Sequence, residues 1–245
     1  MPDASLGDVT IHYEEVGQGK PLAYFFCHGL GGSGDGFAEQ FDFWGQHFHA
    51  VTWDNRGLGR SSAAAKYNLP LYASDLARLM DHLGIERAVV HGVSWGGVLL
   101  QQFALDYPER CLALVFDSTS SECNVAASEG WYQRGEAARL AAETAAPSVA
   151  PEHLDSYVAQ ARAAAGLREH PYTPRLKEIQ APALVVAGGQ DQVAPPAGSV
   201  IMSRNLANAR LEIVQEAGHG VYRERPDEFR ALILSFLRDL GLLTA

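Results

Sequence analysis

Cysteine is scarce in this 245-residue chain: Cys27, Cys111 and Cys123 are the only three, and none forms a C-x-x-C pair. That excludes a disulfide framework and argues against a structural zinc site. Basic charge is short as well. Nineteen Lys and Arg stand against 29 Asp and Glu, a formal net charge of −10, whereas a non-specific nucleic-acid binder needs a basic surface. No apolar run approaches the roughly 18 residues of a membrane helix. The start, MPDASLGDVT, lacks a basic stretch followed by an apolar one, so no signal peptide is expected. No Asn-x-Ser/Thr acceptor occurs either. A cytoplasmic chain with no nucleic-acid or membrane partner is the resulting expectation. The remaining composition, 47% hydrophobic and 20% charged, is ordinary for a globular chain and excludes disordered, collagen-like and coiled-coil classes.

What is present is alternation. Short apolar runs at 22–27, 50–53, 88–90, 112–116, 183–187 and 211–214 have strand length. Near-continuous apolar strands belong to a parallel sheet covered on both faces. Helical patterns lie between them. Tyr72, Leu76, Leu79, Met80 and Leu83 share a face that Gly84 stops. After Pro226, Phe229, Leu232, Ile233, Phe236, Leu237 and Leu240 follow an i, i+3, i+4, i+7 spacing. Residues 9–16 alternate and are expected to form an antiparallel edge. Repeated strand–helix order predicts an α/β class, a doubly wound, mostly parallel sheet flanked by helices.

One stretch breaks this order. Residues 120–180 carry no strand pattern, are rich in Ala, Glu and Arg, and are punctuated by Pro147, Pro151, Pro171 and Pro174. Leu154, Tyr157, Val158 and Ala161 repeat on one helical face. The expected organisation is a core of 1–119 and 181–245, with 120–180 a short helical cap inserted between two core strands. Twelve of the 24 glycines fall in five clusters, each just past a predicted strand. That is where parallel sheets place their active sites.

The strongest chemical element is Gly92-Val93-Ser94-Trp95-Gly96-Gly97, which follows one predicted strand and opens a helical pattern at Val98, Leu99, Gln102 and Phe103. Strand–turn–helix is the context a nucleophile elbow needs. There the hydroxyl sits at a helix N-terminus, where the dipole favours developing negative charge. A serine needs a base, and the base needs an orienting acid. His219 lies in a glycine-flanked loop before the last helix, and Asp191 closely follows the strand 183–187. The order Ser94, Asp191, His219 fits this architecture.

With these residues the chain resembles the α/β-hydrolase fold family over nearly all its length. Cys27-His28-Gly29-Leu30-Gly31-Gly32 resembles the family's His-Gly oxyanion loop, and Asp54-Asn55-Arg56-Gly57-Leu58-Gly59-Arg60-Ser61 is similar to its D-x-R-G-x-G-x-S turn. The resemblance implies an oxyanion hole from the backbone amides of Leu30 and Trp95, donors pre-aimed at charge that appears only in the transition state. It implies loop-shaping for His28, turn-pinning for Asp54 and Arg56, and space-filling for Cys27. It leaves Asp117 open as acid or helper, because some members carry the acid there. His91 is read as a hydrogen bonder at a strand end, and His47 with His49 as no metal site. Serine at 94 separates the chain from the aspartate-nucleophile dehalogenases and epoxide hydrolases of this fold. The loop at 28–32 differs from the H-G-G-P-G of proline iminopeptidases.

The expected activity is that of a serine hydrolase without cofactor or metal, acting on a small carboxylic ester or lactone. C–C hydrolysis of a vinylogous diketone and peroxide-dependent acyl chemistry are alternatives on the same three residues. From another class, a ligand-binding protein without turnover is a further alternative. The pocket is expected to be largely apolar, drawn from Phe37, Trp95, Trp131, Tyr132, Tyr157, Val193 and Val221. No motif encodes the oligomeric state.

Overall fold

The computed structural model describes residues 2–142 and 147–243. Residues 143–146 of the segment 120–180, and Met1 and 244–245 of the expected core, lie outside the described residues. The strands are β1 Asp3–Ser5, β2 Thr10–Val16, β3 Ala23–Cys27, β4 His49–Trp53, β5 Ala88–Val93, β6 Cys111–Asp117, β7 Ala183–Gly188 and β8 Ala209–Val214. They form one eight-stranded sheet in the order β1-β2-β4-β3-β5-β6-β7-β8. From β4 to β8 every pairing is parallel, while β2 runs antiparallel to β4. The expected antiparallel edge needs one correction. The three-residue β1 pairs outside β2, so β2 is not the edge.

Alternation across the sheet explains the apolar runs. In β3, Ala23, Phe25 and Cys27 enter one core and Tyr24 and Phe26 the other. Successive side chains of a strand point to opposite faces, so a strand covered on both sides must be apolar throughout. The first core is closed by α2 (Leu69–His82) and α3 (Trp95–Asp106), with Leu76, Leu79, Met80, Leu99 and Phe103 facing inward. The second is closed by α1 (Ala38–His47) and α8 (Pro226–Asp239), through Trp44, Phe229, Ile233 and Leu237. α2 starts at Asn68, whose side chain accepts the Leu71 N–H at 3.0 Å. In the last helical pattern, Leu240 falls past the end of α8 and is exposed.

Between β6 and β7 the chain forms α4 (Val125–Ala142) and α5 (Leu154–Ala165), which pack against each other. Two shorter helices, α6 (Pro196–Asn205) and α7 (Val221–Glu224), complete the carboxyl half with a 3-10 turn at Thr173–Glu178. Among the described residues no helix is long and apolar enough to cross a membrane. One buried ion pair ties the turn after β4 to α2: Arg56 Nε and Nη2 reach the two Asp75 carboxylate oxygens at 2.5 and 2.7 Å, both residues fully buried.

Candidate active site

β5 turns into α3 through Ser94, whose backbone takes φ 53° and ψ −116°. A serine there is strained, and such strain persists only where the surroundings over-determine it. They do. The Ser94 N–H donates to the Asp117 carbonyl at 2.8 Å, and the Ser94 carbonyl accepts from Gly97 N–H at 2.9 Å and Thr119 Oγ1 at 2.7 Å. The flanking glycines are steric requirements. A Cβ on Gly92 would lie 2.3 Å from the Gly96 carbonyl oxygen, and one on Gly96 would lie 2.1 Å from that of Cys27.

The loops after β7 and β8 bring Asp191 and His219 to this turn. His219 Nδ1 lies 2.8 Å from Asp191 Oδ2, and Nε2 lies 3.0 Å from Ser94 Oγ. A carboxylate only accepts, so Nδ1 carries the proton and Nε2 is left to accept from the serine hydroxyl. Asp191 is itself held, since its Oδ1 accepts the Val193 and Ala194 amides at 2.8 and 2.9 Å. The aspartate side chain is fully buried, whereas that of His219 is 30% exposed.

The loop after β3 passes beside the serine and contributes Leu30 to the same cavity as Trp95. His28 shapes that loop from below. Its Nε2 accepts the Asn55 amide at 3.1 Å and its Nδ1 faces the Gly29 carbonyl at 2.9 Å. Burial holds its pKa below the ordinary histidine value, keeping the ring neutral. Asp54 pins its turn by accepting the Gly34 and Arg60 amides at 2.7 and 2.8 Å. The Cys27 thiol is pushed up to about 12 by burial, which makes it inert.

Above Ser94 lies a cavity of about 340 Å³. Trp131 from α4, Ala164 from α5, Val193 and Ile201 supply apolar walls, and Ser118, Thr119 and Asn124 a polar side. Four expected pocket residues sit elsewhere. Phe37 and Val221 are buried in the second core, where the Phe37 ring lies 4.9 Å from Phe26 and 5.6 Å from Tyr222. Tyr132 is 44% exposed. Tyr157 abuts Gly31 instead of the cavity.

His91 is also a correction. Neither ring nitrogen has a hydrogen-bond partner among the described residues, and the ring lies in a cage of Tyr24, Phe26, Phe37 and Phe229. Asp117 is fully buried with one oxygen 3.8 Å from His91 Nε2, while its other oxygen accepts from Ser118 Oγ. His49 does find a carboxylate, Glu15, at 2.6 Å. Among the described residues no group of three His, Cys, Asp or Glu is placed to hold a metal. Two site features carry no sequence signal. Ser118 is a second non-glycine residue at positive φ, 51°. Gln160 of α5 is fully buried, with Oε1 accepting the Gly31 N–H at 2.9 Å and its carbonyl accepting the Trp95 indole N–H at 3.0 Å.

A family model described as alpha/beta hydrolase fold matches residues 25–165, more than half of the chain. The chain belongs to the α/β-hydrolase fold family. A second model, described as TAP-like protein, matches residues 154–242 of this α/β hydrolase. Its relatives include 3-oxoadipate enol-lactonase 2 of Acinetobacter baylyi, 28% identical with 94% of each chain covered. Another is 2-hydroxy-6-oxo-6-phenylhexa-2,4-dienoate hydrolase of Comamonas testosteroni, 27% identical over 97% of this chain and 94% of the relative. The crystal structure of the enol-lactonase from Burkholderia xenovorans superposes with a TM-score of 0.80 at 27% identity, covering 97% of this chain and 100% of that one. The chain is a hydrolase enzyme of this fold.

Proposed function

We propose that the protein hydrolyses a small carboxylic ester or lactone through an acyl-enzyme on Ser94, without metal or cofactor. The observation that carries this reading is the unbroken chain Asp191–His219–Ser94, opening into a largely apolar cavity. His219 Nε2 takes the Ser94 proton as Oγ attacks the acyl carbon, then returns it to the leaving oxygen. Asp191 holds the tautomer and stabilises the imidazolium. The amides of Leu30 and Trp95 receive the developing oxyanion, and α3 adds the favourable field of its N-terminus. An ester's alcohol then leaves, while a lactone's opened hydroxyl stays tethered to the acyl group. Water attacks the acyl carbon as His219 takes its proton. The acyl–Oγ bond breaks, and His219 returns the proton to Ser94 as the acid departs.

The enol-lactonase likeness supports a lactone among the substrates. The segment 120–180 acts as a cap, because α4 and α5 supply cavity walls. A cavity of this size suits short and medium acyl groups. The three unbridged cysteines suit a reducing, cytoplasmic setting. The 2-hydroxy-6-oxo-6-phenylhexa-2,4-dienoate hydrolase likeness supports a second reading, C–C cleavage of a vinylogous diketone on the same residues.

A panel of esters, lactones and ring-fission ketones tests both. Ser94→Ala is expected to remove nearly all turnover with the fold intact, because a unit of this kind loses most of its effect with any one member. A purified variant retaining more than a tenth of wild-type kcat would place the nucleophile elsewhere. Turnover of the ketones alone would select the second reading.

A further inference from the structure

One residue of α5 holds both sides of the expected oxyanion hole. Gln160 lies 129 positions from Gly31 in the sequence, yet its Oε1 accepts the Gly31 N–H. Gly31 directly follows Leu30. The Gln160 backbone carbonyl accepts the indole N–H of Trp95, which directly follows Ser94. So the loop that offers the Leu30 amide and the helix start that offers the Trp95 amide are fastened to the same residue.

The amide orientation is forced. Turning the Gln160 side chain over would aim an N–H₂ donor at the Gly31 N–H donor. In the orientation adopted, Nε2 has no hydrogen-bond partner among the described residues. A buried amide donor left alone is costly, and a leucine or methionine would fill the same space without that cost. The acceptor is therefore what glutamine supplies here. Neighbouring positions press on the same parts. A Cβ on Gly31, which sits at φ 65°, would lie 2.6 Å from the Tyr157 ring. The Trp95 ring packs edge-on against Tyr72 at 5.1 Å, and Tyr72 Oη is 2.8 Å from Ser156 Oγ. Residues 156, 157 and 160 thus form one face of α5 applied to the oxyanion elements.

We infer that Gln160 is a positioning residue for the oxyanion hole, fixing through Gly31 and the Trp95 indole where the Leu30 and Trp95 amides point. The inference rests on the acyl-transfer reading above. Donors of this kind act by being aimed before charge develops, so a misaimed pair weakens the transition state and not the bound substrate.

Two variants test it. Gln160→Met keeps length and removes the acceptor. Trp95→Phe removes the indole donor and keeps the backbone amide. Each is expected to lower kcat by about 10–100-fold, somewhat less than deletion of a whole donor, with KM changed by less than about threefold. The second-order rate at which a phosphonate ester labels Ser94 should fall by the same factor, since negative charge builds on the phosphoryl oxygen in the hole as Oγ adds to phosphorus and the leaving group departs. Unchanged kcat and labelling in a folded variant would overturn the inference. So would a fall in kcat matched by a comparable rise in KM with a lowered Tm, which means general loosening. If Gln160→Met does not fold, Trp95→Phe gives the same two readings and decides alone. If the wild-type protein hydrolyses no ester or lactone, the acyl-transfer reading fails. Labelling rates then still decide on Gln160, a fall supporting its positioning role and no change overturning it.

Discussion

Asp191 and Asp117 are both buried at strand ends, but they face different histidines. Asp191 bonds His219, and Asp117 looks toward His91 inside an aromatic cage. Asp191→Asn is expected to keep the shape and favour the wrong imidazole tautomer. Its kcat should fall on the order of 10³–10⁴, by analogy with the serine-protease aspartate. Asp117→Asn should cost much less, and steady-state kinetics on the two variants rank them. A reversed ranking would move the acid to Asp117. The three candidate residues were legible because each has a local signature: a glycine-flanked serine after a strand, a glycine-flanked histidine, an aspartate just past a strand. Ser118 and Gln160 have none. A serine at positive φ looks like any other serine in sequence, and a mid-helix glutamine normally faces water. Phe37 and Val221 were misplaced because an apolar residue near a site motif serves the core equally well, and here the stack around Phe26 and Tyr222 takes them.

Helix α4 shows how an element assigns its faces. Trp131, Gly135 and Ala138 follow the i, i+4, i+7 spacing and turn inward, with Gly135 and Ala138 buried. Tyr132 falls off that stripe and is exposed. Trp131→Ala is therefore expected to shift relative kcat/KM across an acyl chain-length series by about tenfold, the lower end of what one methylene in an apolar pocket is worth. Tyr132→Ala should leave the series within twofold. A parallel loss on every chain length with a lowered Tm in Trp131→Ala would make the tryptophan a packing residue only. Central strands were readable because burial on both faces demands continuous apolar runs. The three-residue β1 was not, being too short for any period, and neither was α6, whose small and polar residues leave a weak stripe. Nor did the sequence mark the tie between the turn after β4 and α2. Asp75→Ala would leave the fully buried Arg56 guanidinium without its two-pronged partner. About 3–5 kcal/mol of stability should be lost, read from the denaturation midpoint.

For the molecule as a whole, His28 couples folding to acid. Its folded pKa lies below the ordinary value of 6.5 because the ring is buried. The unfolded chain therefore takes up the proton first, and stability rises with pH wherever that is so. The contribution is complete above about pH 6.5 and is lost as pH falls through the ordinary histidine value toward the lower folded one. Tm should decline as pH falls below about 6.5, and His28→Asn should flatten that decline even if its Tm at higher pH is lower. An unchanged slope would assign the acid sensitivity to other groups. The reach of the site's hydrogen bonds has a consequence in time. Ser94 meets His219 across 125 positions and Gln160 meets Gly31 across 129, so no early half of the chain can assemble the candidate site. Contacts this distant form late. On the proposed reading, a nascent chain would stay chemically silent until the loop that carries His219 has joined the first half of the molecule.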